Sequence, residues 1–248
     1  MIILSILFFV TAILYASVGF GGGSTYLALL LIWGIPYYIF PVIALMCNIF
    51  VVSGNSFNYI KAGNLNLKLL IPYLIGSIPL AFIGGSLQID KAVFEIFLFT
   101  VLALAGTFLL INFKSYDDKE STYRNIPVLI SIFIGGILGF VSGIVGIGGG
   151  IFLSPILFLI KAGKPKQIVT AASLFILINS IFGIIGQFTK SIVLSEISNY
   201  WYLFLIVIIG GHIGNYLNLK IFPTRILALV TSGLVLFVAI RMSIKLFL

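Results

Sequence analysis

The amino-acid sequence predicts an all-α, polytopic membrane protein, and three observations support this fold class. Hydrophobic residues make up 61% of the 248 residues, charged residues only 8%, and the mean hydropathy is +1.26. A soluble domain does not carry such a composition on its surface. Apolar runs near the roughly 20 residues that span a bilayer recur along the chain, and one glycine-rich motif occurs twice.

The glycine-rich motif divides the chain into two similar halves. Gly19-Phe20-Gly21-Gly22-Gly23 returns in the second half as Gly146-Ile147-Gly148-Gly149-Gly150, and an apolar run precedes and follows each copy. We therefore predict an N-terminal membrane repeat over 1–112, a polar linker over 113–125 and a C-terminal membrane repeat over 126–248. Internal duplication is common among polytopic membrane proteins.

Each repeat is predicted to contain one glycine-broken segment and three transmembrane helices. The first broken segment covers 2–33, and the helices that follow cover 38–58, 69–87 and 92–112. The second broken segment covers 126–160, and its helices cover 167–188, 199–218 and 225–247. Two pairs of short motifs support the match: Gly34-Ile35-Pro36 with Gly163-Lys164-Pro165, and Gly84-Gly85-Ser86 with Gly210-Gly211-His212.

The basic residues discriminate between two topologies, because cytoplasmic loops accumulate Lys and Arg. If each broken segment crosses the membrane once, the 14 basic residues divide eight against six. If each segment turns back at its glycines, they divide ten against four. The second division is a real bias, so we predict re-entrant hairpins, inverted repeats and both termini outside the cytoplasm. The ten residues from Ser24 to Trp33 also make only about 15 Å of helix, half of a bilayer.

Hairpins that enter from opposite faces would bring the two glycine runs together inside the membrane. The half-helices that begin at Ser24 and Ile151 would then direct unpaired N–H groups, and about half a positive charge each, toward one site. Such a site suits an anion. The alternative is that the glycines only permit close packing of helices.

Neutral polar side chains can donate hydrogen bonds to an anion without holding a fixed charge in the bilayer. Together with the glycines they form the predicted substrate-binding set: Gly21, Gly22, Gly23, Ser24, Thr25, Asn48, Asn55, Gly148, Gly149, Gly150, Ser173 and Asn179. For each amide or hydroxyl the alternative is a hydrogen bond that joins two helices.

Other residues favour simpler interpretations. His212, the only histidine, is predicted to be a neutral, hydrogen-bonded interior residue rather than a proton relay, and Cys47 a small packing residue. Acidic residues fall near the ends of the predicted helices, and metal-ligand spacings and catalytic acid pairs do not occur. The sequence therefore predicts no enzyme, no metal and no cofactor, and the scattered basic residues do not predict nucleic-acid binding.

The doubled glycine motif resembles the TauE/SafE family of sulfite-exporter-type anion permeases. Further resemblance lies in Ser154-Pro155, beyond the second copy, and in Thr170-Ala171-Ala172-Ser173-Leu174. The resemblance covers both halves and implies transport of sulfite, sulfonates or related anions across the cytoplasmic membrane. The chain departs from the family pattern at Ser24-Thr25-Tyr26, which replaces an apolar continuation, and it lacks a Thr-Ser pair after Pro41.

We therefore predict a multi-pass protein of the cytoplasmic membrane that acts as a secondary transporter. Its cargo is expected to be a small, sulfur-containing anion, moved by alternating access. An anion channel is the alternative, and an intramembrane enzyme is a less favoured one. The expected partners are the anionic substrate and the lipid bilayer; nucleic acid is not expected, and a homo-oligomer stays open.

Overall fold

The computed structural model describes residues 1–112, 124, 126–190 and 194–220, and short pieces at 232–233, 236–237, 239–240 and 243–244. Every regular element in these ranges is helical. The helices are α1 (Ile2–Val18), α2 (Gly23–Ile32), α3 (Phe40–Lys61, after a 3₁₀ turn at Tyr37–Ile39), α4 (Leu67–Ser86), α5 (Lys91–Asn112), α6 (Val128–Val145), α7 (Gly150–Leu159), α8 (Pro165–Gln187), α9 (Leu194–Ser198) and α10 (Trp201–Lys220). Most of the predicted linker 113–125 and of the predicted helix 225–247 lies outside the described residues.

Helix length and composition confirm the predicted fold class. Within the described ranges, four helices are long and apolar enough to cross a membrane: α3 with its preceding turn, α4, α6 and α8. Four further apolar helices are shorter: α1, α2, α7 and most of α10. The chain is therefore an all-α, polytopic membrane protein.

Glycine and proline set the helix ends that shape the centre of the molecule. α1 ends at Gly19, with φ of 84°, and α6 ends at Gly146, with φ of 90°. Side chains make this left-handed conformation costly, so glycine stops both helices there. Pro41 and Pro165 lie in the first turns of α3 and α8. Proline is tolerated in that turn because its missing N–H would have no partner in the helix.

The chain reverses direction at the first glycine break. The rings of Phe8 and Tyr26 stack with their centroids 4.7 Å apart. Eighteen residues of continuous helix would separate them by about 27 Å. Gly22 lies beside the middle of α1, because a Cβ atom built on it would be 3.2 Å from Cγ2 of Thr11. α2 therefore returns along α1.

The second break has the same geometry. A Cβ atom built on Gly149 would lie 3.1 Å from the carbonyl oxygen of Leu138, in the middle of α6. When the two glycine motifs are aligned, Gly149 corresponds to Gly22 and Leu138 corresponds to Thr11, so equivalent positions meet in both halves. These contacts support the turned-back interpretation of the broken segments over a continuous crossing.

The equivalent helices α3 and α8 pack against each other in opposite directions. Ser56, near the end of α3, lies 3.1 Å from Ser173, near the start of α8, measured between the two Oγ atoms. Leu45, near the start of α3, contacts Gly183, near the end of α8. α4 packs along α6 and α10 along α1, so each half covers the hairpin of the other. Antiparallel packing of equivalent helices supports the inverted repeat, which stays a prediction.

Contacts between loops also favour the turned-back topology. The backbone N–H of Arg124 donates to the carbonyl of Lys161 at 3.0 Å. At another loop pair the hydroxyl of Tyr38 donates to the carboxylate of Glu196. A single crossing by each broken segment would put the two members of each pair on opposite membrane faces. A reversal in each broken segment puts them on the same face.

One predicted correspondence between the halves is wrong by a helical turn. A Cβ atom on Gly84 would collide with the carbonyl of Phe140, and one on Gly214 would collide with the carbonyl of Ile13. Because Ile13 and Phe140 are equivalent positions when the two glycine motifs are aligned, the structural partner of Gly84 is Gly214 and not Gly210. Paired glycines in a sequence do not show at which turn two helices touch.

Candidate functional site

The two glycine breaks contact each other around the side chain of Asn48. A Cβ atom on Gly23 would lie 3.0 Å from the carbonyl oxygen of Ile147, so the two backbones touch. The fully buried Asn48, on α3, donates from Nδ2 to the carbonyl of Ile147 at 3.1 Å and to that of Gly146 at 3.4 Å. One amide thus joins a helix of the first half to the break of the second.

Two helices, α2 and α7, begin at this meeting point. The residue before α2 is Gly22, with φ of 88°, and the residue before α7 is Gly149, with φ of 74°. Among the described residues, neither N-terminus receives a hydrogen bond from the side chain of its capping residue, since both caps are glycine. The positive ends of two helix dipoles therefore lie close together in the protein interior.

Three hydroxyl groups form a cluster at the start of α2. The hydroxyl of Tyr15, on α1, lies 2.7 Å from Oγ1 of Thr25 and 3.1 Å from Oγ of Ser24. All three residues are buried. The predicted donors Ser24 and Thr25 are therefore held by a tyrosine that sequence reasoning missed.

Several buried polar atoms have no hydrogen-bond partner among the described residues. Near the breaks and along α3, α7 and α8 they are Tyr26 Oη, Asn48 Oδ1, both amide atoms of Asn55, Ser142 Oγ, Ser154 Oγ, Asn179 Oδ1 and Ser180 Oγ. A buried polar group without a partner costs about 1–3 kcal/mol. A cluster of them is the arrangement expected where water or a polar ligand binds.

The predicted site residues fall into two groups. The six glycines, Ser24, Thr25 and Asn48 come together at the breaks. Asn55, Ser173 and Asn179 lie on α3 and α8, the helices that pack together beside the breaks. Ser173 pairs with Ser56, and Nδ2 of Asn179 donates to the carbonyl of Phe175, at 2.8 Å, in its own helix. The binding role of each residue stays a prediction.

A repeated signal in the sequence could have found Tyr15. It lies four residues before Gly19, and Ser142 lies four residues before Gly146, so a hydroxyl precedes each break at the same distance. Ser142 also lies beside Gly149, whose built Cβ would be 3.5 Å from Cβ of Ser142. The predicted set contains the two hydroxyls that follow the first break, Ser24 and Thr25, and none that precedes either break.

The predictions for His212 and Cys47 have different outcomes. His212 is exposed on α10, so the predicted interior position is wrong. α10 turns Gly210 and Gly214 toward α1, and the glycine pair before His212 does not indicate on which face the histidine falls. Cys47 is fully buried in the hydrophobic core, as expected for a packing residue.

Broken helices that meet inside a bundle of membrane-spanning helices are typical of the membrane transporters as a class. The profile of the family described as sulfite exporter TauE/SafE matches residues 4–242. The chain therefore belongs to the sulfite exporter TauE/SafE family.

Similar proteins come from bacteria, archaea and plants. "Probable membrane transporter protein y4hK" of Sinorhizobium fredii is 27% identical over 234 residues, 94% of each chain. "Probable membrane transporter protein MJ0441" of Methanocaldococcus jannaschii is 31% identical over 203 residues, 76% of this chain and 73% of its own. "Sulfite exporter TauE/SafE family protein 6" of Arabidopsis thaliana is 37% identical over 95 residues, 36% of this chain and 20% of its own. No solved structure matches this chain.

Proposed function

We propose that this chain is a secondary transporter that moves a small, sulfur-containing anion across the cytoplasmic membrane by alternating access. The observation that carries the proposal is the meeting of two glycine breaks around Asn48. Both breaks start a helix, and several buried polar atoms near them have no hydrogen-bond partner in the part of the chain that the structure describes. Broken helices with convergent N-termini are a recurrent way to bind anionic groups inside a membrane.

The charge of the ligand follows from the groups that face the site. Lys and Arg are absent from both glycine runs and from α2 and α7, so no fixed cation binds the ligand there. Each partly buried helix N-terminus contributes up to roughly 2 kcal/mol toward an anion, and each hydrogen bond to a charged group about 1.5–3 kcal/mol. Binding has its own entropic cost, so the expected affinity is micromolar or weaker. Such an affinity permits release.

The name of the family supports a sulfur-containing anion. The matching profile is described as sulfite exporter TauE/SafE. Sulfite and sulfonates present three oxygens on one face, which suits several N–H and O–H donors around one point. Carboxylates present two oxygens and serve as the comparison class.

Alternating access follows from the proposed inverted repeat. α3 and α8 cross in opposite directions, and each half packs on the hairpin of the other. The hairpins would enter from opposite faces, so that movement of one half against the other exposes the site first to one side and then to the other. In this arrangement both termini are extracytoplasmic.

The test is flux into liposomes that contain the purified protein. The panel is sulfite, thiosulfate, methanesulfonate and acetate, with empty liposomes as the control. We expect saturable uptake of at least one sulfur oxyanion, accelerated by the same anion on the inside. Conductive flux that does not saturate would identify a channel instead. Absence of flux for every panel member would overturn the proposal.

A further inference from the structure

A cavity of about 430 Å³ lies at the end of α8, between the ends of several membrane-spanning helices and the loops that join them. Its polar lining comes from three parts of the chain: Tyr37 and Tyr38 before α3, Gln88 and Asp90 between α4 and α5, and Gln187 and Lys190 at the end of α8. The turned-back topology predicts that these three parts lie on the same membrane face. The cavity is therefore a polar recess at the mouth of the bundle.

Hydrogen bonds connect this cavity to the second glycine break. The ammonium group of Lys190 donates to Oε1 of Gln187 at 3.0 Å. The other amide atom of Gln187, Nε2, donates to the carbonyl of Gly143 at 3.0 Å, and the Gln187 side chain is buried. Gly143 lies three residues before Gly146, where the break begins.

Packing connects the same two places. Pro41 lines the cavity. Gly146 packs against Pro41, since a Cβ atom built on Gly146 would be 2.6 Å from Cα of Pro41. Ile144, two residues before the break, lines the cavity as well. The second break therefore lies directly behind the wall of the cavity.

We propose that this cavity is a vestibule that collects the anion before it reaches the central site, with Lys190 as the cation that attracts it. The path inward rests on the proposed function; capture of a sulfonate-like oxyanion by the vestibule does not. Gln187 positions Lys190 through its carbonyl oxygen. Lys190 is half-buried and lines a small recess, in which the field of a charge is screened less than at an open surface.

The charge state of the vestibule depends on pH in a definite direction. Burial lowers the pKa of Lys190 to about 8. Lys190 is then cationic below pH 8 and loses its charge as the pH rises above it, so anion capture should weaken from pH 7 to pH 9. The other titratable groups at the cavity are Asp90, Tyr37 and Tyr38, and Glu196 accepts the hydrogen bond of Tyr38. Asp90 opposes an anion, so Asp90→Asn should strengthen capture.

The first experiment measures uptake of methanesulfonate, a probe whose charge does not change between pH 7 and pH 9. In liposomes of phosphatidylcholine, Lys190→Gln should raise KM about fivefold or more with little change in maximal rate. It should also abolish the decline of uptake above pH 8, whereas Lys190→Arg should keep the wild-type KM at pH 7. Lys91→Gln is the matched control, because Lys91 is exposed at the start of α5 and does not line the cavity.

A second experiment works even if the protein transports none of the tested anions. Cys47, the single cysteine, is replaced by Ala, and Gln88, which lines the vestibule, by Cys. The rates of modification by an anionic and a cationic methanethiosulfonate reagent are then compared. The rate with the anionic reagent divided by the rate with the cationic reagent should fall severalfold when Lys190→Gln is added. It should not change with Lys91→Gln.

The outcomes separate the two proposals. An unchanged reagent ratio with Lys190→Gln would overturn the vestibule, whatever the transport result. A changed ratio without flux of any panel anion would retain the vestibule and overturn the transport function. If anionic phosphatidylglycerol in the liposomes removes the effect of Lys190→Gln, Lys190 holds a lipid headgroup and the substrate vestibule is rejected.

Discussion

Asn48→Leu is the substitution that tests the central site most directly. Leu has the same branched shape as Asn and is somewhat larger, so the buried position stays filled. The change removes the donor to Ile147 and Gly146, which leaves two carbonyl oxygens without that partner. It also removes the buried Oδ1 atom, which has no partner among the described residues. Each of these effects is worth about 1–3 kcal/mol and they have opposite signs, so stability should change little.

Anion binding should change much more than stability. In the wild-type protein the amide group of Asn48 covers two carbonyl oxygens at the point where both helix N-termini converge. With Leu, the two carbonyl oxygens lose the amide that covers them, and they repel the anion. If this repulsion costs as much as a hydrogen bond to a charged group contributes, about 1.5–3 kcal/mol, the dissociation constant should rise roughly 10- to 150-fold.

The assay is calorimetric titration of purified protein with whichever panel anion is transported, together with uptake at saturating substrate. Asn58→Leu is the control, because Asn58 is half-buried on the same helix, ten residues and about 15 Å from Asn48. Size-exclusion chromatography and thermal unfolding show whether each variant is folded. A folded Asn48→Leu protein that binds the anion within twofold of the wild-type affinity would refute the central site.

Further substitutions and one topology test examine the same arrangement. Gly22→Leu or Gly149→Leu should abolish transport while the protein still inserts, because the new side chain blocks the break and a positive φ costs it about 1–2 kcal/mol. Full uptake by both variants would show that the glycines serve only close packing. Ser24→Ala with Thr25→Ala should weaken anion binding about tenfold or more, as titration would show. His212→Gln should leave affinity unchanged, since His212 is exposed; a loss there with the double alanine variant intact would exclude the helix-terminus mechanism. Reporter fusions should place the C-terminus outside the cytoplasm, and a cytoplasmic C-terminus would reject the inverted repeat.

The breaks themselves could be predicted from sequence because glycine acts locally. Gly19, Gly22, Gly146 and Gly149 all adopt positive φ, a conformation that glycine adopts without strain and other residues rarely adopt. The length and composition of the apolar runs were enough to predict the long apolar helices, as the four membrane-length helices show. Asn48 could be singled out because an amide inside an apolar run has few roles apart from a hydrogen bond, and it forms the alternative given for it, a bond between two elements. Its role in binding the anion stays a prediction.

Tertiary contacts between distant positions could not be predicted in the same way. The cluster of Tyr15 with Thr25 exists only because the chain reverses and brings two helices side by side. The face on which His212 falls depends on which turn of α10 touches α1. The hydrogen bonds from Lys190 through Gln187 to Gly143 join the end of α8 to α6, and no local sequence pattern predicts them.

The two halves repeat the backbone of the site but not its side chains. Asn48 contacts Gly21 and Gly23, and in the second half the equivalent glycines, Gly148 and Gly150, contact Ile176. When the glycine motifs are aligned, Thr25 corresponds to Phe152. Phe175 contacts the second break directly, since a Cβ atom on Gly149 would lie 2.9 Å from its ring. The second half nevertheless carries hydroxyl groups at its own break, because Ser180 lies beside Gly148 and Ser142 beside Gly149. The duplicated scaffold is therefore unequal at the amide of Asn48 and the hydroxyl of Thr25, whereas both halves bring a helix N-terminus and hydroxyl groups to the meeting point.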